Sequence, residues 1–164
     1  MAQADYFLKI AGVDGESDDK SNPKELQIES WSFGASNSGS SGIGGGAGTG
    51  KVSLQDFHFV VQNGKASPNL FLACASGKHI DEAKLTCRKS TGDGGQMPYL
   101  IVTFNDIVIS SFQTGGSNGS GVLPMEQISF NFTKIKMEIK VQDSKGNLAN
   151  GPMGGWDTKK NEKV

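Results

Sequence analysis

The residues with the most chemistry in their spacing are Gly45-Gly46-Ala47-Gly48-Thr49-Gly50-Lys51, which satisfy the phosphate-loop pattern G-x-x-x-x-G-K. Such a loop wraps phosphates in backbone N–H groups, sends its lysine to the outer phosphates, binds Mg²⁺ through a following Ser or Thr, and opens a helix. Here the metal-binding position is Val52, and KVSLQDFHFVV alternates like a strand. Eight of the seventeen residues from Gly34 to Gly50 are glycine, so composition accounts for the match. The looser G-x-G-x-x-A in Gly42–Ala47 has the same origin, since no strand–turn–helix unit surrounds it.

Other chemical groupings fail on similar grounds. Asp14, Glu16, Asp18 and Glu25 approach calcium-loop spacing, but Asp19 stands where glycine is required and Pro23 interrupts the loop, which reads as a solvated acidic turn. His58 and His79 are far apart, with no Cys or carboxylate at metal-ligand spacing. Two histidines with no base–orienter arrangement leave no serine activated as a nucleophile. Cys74 and Cys87 lie in apolar segments and read as free, buried thiols rather than a disulfide framework. No catalytic residue, metal site or cofactor is expected.

The elements that would carry any site are mostly strands. Tyr6, Leu8 and Ile10 alternate with Phe7 and Lys9; Leu26 and Ile28 set a second strand, which continues out of phase at Trp31 and Phe33. The same one-residue shift separates Val52 and Leu54 from Phe57, Phe59 and Val61, and Phe132 from Ile135. Long strands that each change face predict β-bulges and a curved sheet closing toward a barrel. SPNLFLACASG predicts one helix, with Ser67 as N-cap, Pro68 at the first helical position and Gly77 as the stop. Ala83, Leu85 and Cys87 start another strand, STGDGGQMP turns a hairpin, and YLIVTFNDIVISSF supplies two short strands or one bent one. From about residue 142 the tail loses periodicity apart from Trp156, leaving room for a turn and a short edge strand, and KKNEKV is expected to fray.

At 164 residues, with 16 basic against 17 acidic side chains, the chain is expected to be one domain over 1–164, with no charge bias toward nucleic acid. No run approaches about 18 apolar residues, and the N-terminus lacks the basic-then-apolar pattern of a cleaved signal, so membrane insertion is not expected. Synthesis in the cytoplasm, with any export signal-less, is the corresponding expectation. The Gly-rich loop at about 36–50 is longer than most structureless connections, and ordering it alone would cost on the order of 20 kcal/mol. Apart from Ile43 its side chains offer little to offset that, so it predicts a segment ordered by a partner surface.

IESWSFGASNSGS, KVSLQDFHFVVQ, SPNLFLACASGKHIDEAKLTCRKS, YLIVTFNDIVISSFQTGGS and the closing GGWD together resemble the haemolysin-coregulated protein (Hcp) family, tube-forming components of bacterial type VI secretion systems. The resemblance spans nearly the whole chain. It implies a mainly β fold, a compact barrel of two sheets with one short α-helix at its side, assembling into a hexameric ring without enzymatic activity. Stacked rings would form an inner tube that is ejected to the medium or a target cell and carries small effector proteins in its lumen, with the spike protein and sheath as further partners. By the same resemblance Ser38, Gly42, Ile43, Gly44, Gly45, Gly46 and Gly48 belong to a loop that reaches the neighbouring ring. Ser30 and Ser32, opposite Trp31 and Phe33, are candidates to face the lumen. The competing reading is a small β-barrel module for a small ligand or carbohydrate, with Phe57, Phe59, Phe130 and Phe132 lining its pocket.

Overall fold

The computed structural model describes residues 4–37, 51–90, 95–119, 121 and 123–164. In chain order the elements are β1 (Ala4–Ile10), β2 (Leu26–Ile28), β3 (Ser30–Ser32), β4 (Ala35–Asn37), β5 (Val52–Leu54), β6 (Phe57–Gln62), α1 (Ser67–Ser76), β7 (His79–Ser90), β8 (Gln96–Gly115), β9 (Met125–Gln142), β10 (Leu148–Asp157) and β11 (Glu162–Lys163). YLIVTFNDIVISSF is therefore one long bent strand, and the tail holds two strands.

The main sheet runs β11-β10-β9-β8-β7-β1-β2, with β6 added to β9 and β3 to β6. All pairings are antiparallel. The first half of β9 pairs with β6, and its second half with β10, while β8 accompanies it from Met125 to Ile139. Among the described residues no hydrogen-bonded ladder closes the barrel. The chain itself bridges the two edges, because β2 pairs with β1 and, one residue later, β3 pairs with β6. Glu29 is the pivot, its N–H donating to the Val60 carbonyl at 2.8 Å.

The expected changes of face fall at corners. On β8 both Phe104 and Ile107 are buried, and on β9 both Phe132 and Ile135, with Phe104 opposite Ile135 and Ile107 opposite Phe132. Two neighbouring strands thus exchange faces at one rung, carrying the sheet round from one layer of the barrel to the other. Asp106, inside this rung, adopts φ 54°, a left-handed conformation unusual for a side-chain-bearing residue. Its carboxylate is held by Thr133 Oγ1 at 3.3 Å, His79 Nδ1 at 3.1 Å and Lys159 Nζ at 3.2 Å.

The core centres on Phe57, fully buried, whose ring lies 4.9 Å from the rings of both Phe104 and Phe130 and within 6.3 Å of Trp31, Phe33 and Phe59. Offset and edge-on aromatic contacts of this kind add stabilisation beyond the area they bury.

Two local expectations are corrected and one is qualified. The helix N-cap is Ala66, not Ser67, which is the first helical residue. Ser67 Oγ instead accepts the Gly64 N–H at 3.0 Å and donates to buried Glu126 at 2.9 Å. Gly77 does end the helix, in the left-handed conformation that glycine tolerates.

The acidic segment after β1 is solvated at Asp14, Glu16 and Asp18, which are exposed as expected, but Glu25 and the inner side of the segment are not. It covers the outward face of β1 and β7, burying Phe7, Thr86 and Arg88, with Asp19 paired to Arg88 and Glu25 buried against Asn22. A Cβ at Gly15 would collide with the Glu25 backbone, so glycine lets the two ends of this cover lie together. Finally, the last residues are paired, with Trp156 opposite Lys163 and the Val164 N–H on the Gly155 carbonyl. The turn that returns them is capped by Asp157 Oδ1, which accepts the N–H groups of Lys159 and Lys160.

Candidate functional site

The glycine-rich segment is carried by a stem. β4 and β5 form a two-stranded sheet of their own, Ala35 opposite Leu54, Ser36 opposite Ser53 and Asn37 opposite Val52. Ser38, Gly42, Ile43, Gly44, Gly45, Gly46 and Gly48 lie outside the described residues. Lys51 is exposed and enters strand β5, so the helix that a phosphate loop needs does not follow it.

Ser30 and Ser32 are described, and both are exposed on β3. Strand pairing places them at the margin of a four-stranded layer made of β3, β6, the first half of β9 and the last part of β8. One rung reads Ser32, His58, Ser129, Ser111; the next reads Ser30, Val60, Gln127, Gln113. The alternate residues Phe57, Phe59, Ile128 and Phe130 point into the core, so period-two alternation sends this polar set outward. The two rungs carry hydroxyls, amides, one imidazole and one valine, and no carboxylate or ammonium.

His58 Nδ1 lies 3.0 Å from Ser129 Oγ across the β6–β9 pair. At one border of the layer Ser110 Oγ donates to Asp56 at 2.6 Å. Ser110 is the additional residue at an irregularity between Ile109 and Ser111, a bulge that turns neighbouring serines toward the surface. The sequence signal for this face was present in the polar positions between the phenylalanines. What it lacked was the register that sets four strands side by side.

Elsewhere the chemistry is structural. His79 is exposed beside Asp106, distant in register from the His58 rung. Both cysteines are free; Cys87 is buried, and its thiol is pushed up to about 11 by desolvation. Gly115-Gly116-Ser117-Asn118-Gly119 matches the letters of a nucleophile elbow, but it joins two antiparallel strands, β8 and β9, whereas an elbow turns from strand into helix. A cleft of about 600 Å³ between β2 and the start of α1 is lined by Asp5, Glu16, Glu29, Asn63, Ser67 and Glu126 among others. None of Phe57, Phe59, Phe130 and Phe132 reaches it, because all four are core residues. The aromatic-lined pocket required by the ligand-module reading is thus filled by the protein itself.

A family model described as "Type VI secretion system effector, Hcp" matches residues 7–139. The chain belongs to the Hcp family. It is 43% identical over 158 residues to Protein hcp1 of Pseudomonas aeruginosa, covering 96% of each sequence. The solved Hcp1 of Salmonella typhimurium is 34% identical, covers 100% of both chains and superposes with a TM-score of 0.78. A structure described as a type six secretion system protein is 27% identical and superposes at 0.90, covering 99% of this chain.

Membership of the Hcp family makes this a tube protein of a type VI secretion system, a structural part of the machine. The described helix is neither long nor apolar enough to cross a membrane.

Proposed function

We propose that six copies close into a ring whose central channel is lined by the β3-β6-β9-β8 layer, with Ser30 and Ser32 facing the lumen. The observation that carries this reading is the character of that face: two rungs of Ser, His, Gln and Val, without a fixed charge, on an otherwise charged protein. A channel for diverse cargo needs weak, adaptable contacts, and small hydroxyls and amides supply hydrogen bonds without rejecting either sign of charge.

Rings then stack through the segment at about 36–50, and the assembled tube meets the spike and sheath, carries small effector proteins and is ejected from the cell. The ring itself performs no reaction. Support for stacking comes from the stem, which forms no ladder with the main sheet. Support for cargo comes from the lumenal chemistry.

Native mass spectrometry and electron microscopy of the purified protein test this together. A closed hexamer with an open centre is expected, and a Ser32→Arg variant should keep the ring while retaining at least about tenfold less co-expressed effector. A strictly monomeric particle at high concentration would overturn the ring.

A further inference from the structure

Of the eight residues in the two polar rungs, His58 alone can change its charge near neutral pH; the others are hydroxyls, amides and one valine. Imidazole is the ordinary side chain that takes up a proton between about pH 8 and pH 5. His58 is half-buried in the middle of the layer, with β3 on one side of its strand and β9 on the other.

The two histidines of the chain are held differently. His79 Nδ1 lies 3.1 Å from Asp106 Oδ1, and the same carboxylate is shared with Lys159 and Thr133, so that ring belongs to a cluster of charged groups at the corner. His58 Nδ1 lies 3.0 Å from Ser129 Oγ. A hydroxyl both donates and accepts, so this contact survives in either protonation state of the ring. None of the ion pairs among the described residues involves His58. The buried unpaired polar atoms among those residues are Arg88 Nε and Trp156 Nε1, which leaves His58 Nε2 open to solvent. Protonation therefore adds one charge and one solvent-facing N–H donor to the layer without breaking a contact.

Few charged groups stand near enough to mask that change. On β6 the nearest carboxylate in sequence is Asp56, at the border of the layer, with Oδ2 accepting from Ser110 Oγ at 2.6 Å. On β9 Glu126 is buried and turned to the other side of the sheet, where Ser67 and Asn63 hold it. Beside β3 Glu29 sits at the pivot, out of phase with Ser30 and Ser32. β8 contributes only Ser111 and Gln113 to the two rungs.

We infer that His58 makes the channel's hold on cargo depend on pH. At neutral pH the layer is indifferent to the sign of a cargo's charge; in mild acid it holds effector proteins whose contact surface is acidic and releases those whose surface is basic. The inference rests on the ring reading above and adds a regulator to it. Ring closure strengthens the effect, because every copy contributes one imidazole to a shared channel and like charges along one wall act together on the same cargo.

Purified full-length rings, their mass checked at about pH 7.5 and about pH 5.5, can be titrated at each pH with a rhodamine-labelled Glu-rich peptide and with a Lys-rich one, read by fluorescence anisotropy. The parent should bind the Glu-rich peptide at least about fivefold more tightly at the lower pH, and the Lys-rich peptide no more tightly. His58→Gln should lose that gain, with His58→Ser in its place if the glutamine variant folds poorly. His58→Lys should bind the Glu-rich peptide tightly at both pH values, and His79→Gln should behave as the parent does. A gain that survives in His58→Gln, that disappears in His79→Gln or that is absent from the parent would overturn the inference while leaving the ring reading standing. Rings that open at the lower pH would do the same, since the channel must persist for its charge to change. A parent protein that is monomeric at neutral pH would overturn both.

Discussion

Arg88 holds Asp19 in a two-pronged ion pair, Nη1 to Oδ1 at 2.9 Å and Nη2 to Oδ2 at 2.8 Å, with its guanidinium 4.4 Å above the ring of Phe7. One side chain thereby fastens the segment that follows β1 to the outside of the barrel. The Arg88 hydrogen bonds lower the Asp19 pKa to about 2, from an ordinary value of 3.8. A carboxyl lowered on folding stabilises the native state above its unfolded pKa and loses that contribution as pH falls through the folded one. The loss therefore falls between about pH 4 and pH 2. Thermal melts across this window should show the parent losing more stability than Asp19→Asn, the two curves converging at the acid end. Arg88→Ala at neutral pH should cost about 2–4 kcal/mol, through loss of the pair and of the cation–ring contact.

Glu126 is buried where β6, β9 and α1 meet, its Oε1 accepting from Asn63 Nδ2 at 2.8 Å and its Oε2 from Ser67 Oγ at 2.9 Å. Ser67 in turn accepts the Gly64 N–H, so one carboxylate fixes the chain's entry into the helix. Glu126→Ala takes the acceptor from the buried Ser67 hydroxyl and from the exposed Asn63 amide, and should destabilise the fold by about 1–3 kcal/mol by denaturant titration. Glu126→Gln, which keeps an acceptor, should cost less.

Much of this architecture was legible in the sequence, and the misses share a cause. Alternation located the strands, and the one-residue shifts near Glu29 and between Phe132 and Ile135 marked the corners because a change of buried face is written in residue type. Gly77 identified the helix stop for the same reason: the left-handed residue needs glycine. The acidic segment's exposed carboxylates were read correctly, but its buried side depends on Arg88, remote in sequence, and no local pattern reports that meeting. The Ser67 position slipped by one because a serine before proline looks like a cap, while its hydroxyl is committed to Glu126. The β10–β11 pairing was hidden by glycines and a bulge between Asn150 and Met153. The polar rungs were half visible: Ser30 and Ser32 could be singled out, but His58, Ser129 and Gln127 join them only through register.

Cys87 and Cys74 should separate cleanly by reactivity. Burial raises the Cys87 thiol to about 11, so at pH 8 it is almost wholly protonated as well as shielded, whereas Cys74 on α1 is half-buried. Titration of the native protein with a chromogenic disulfide should report one thiol per chain on the scale of minutes, and two after unfolding in guanidinium. Two native thiols reacting at similar rates would show that the barrel opens readily around β7.

Deleting residues 42–48 isolates the role of the glycine-rich segment. Its stem is closed by three rungs, Ala35 to Leu54 through Asn37 to Val52, and by the Gln55 N–H on the Gly34 carbonyl at 2.8 Å. Residues 38–41 and 49–51 would remain to connect the strands, more than the roughly two to five that a hairpin loop requires. The aromatic cluster around Phe57 is built from Trp31, Phe33, Phe59, Phe104 and Phe130, all of which the deletion keeps. The melting temperature should therefore stay within about 2 °C of the parent's, and the number of subunits per ring should be unchanged. What should fall is ring-on-ring association, read as shorter stacks by electron microscopy and loss of the fastest species in sedimentation velocity. Loss of soluble folded protein would instead place the segment in the monomer's own core, and unchanged stacking would assign the contact between rings to another surface.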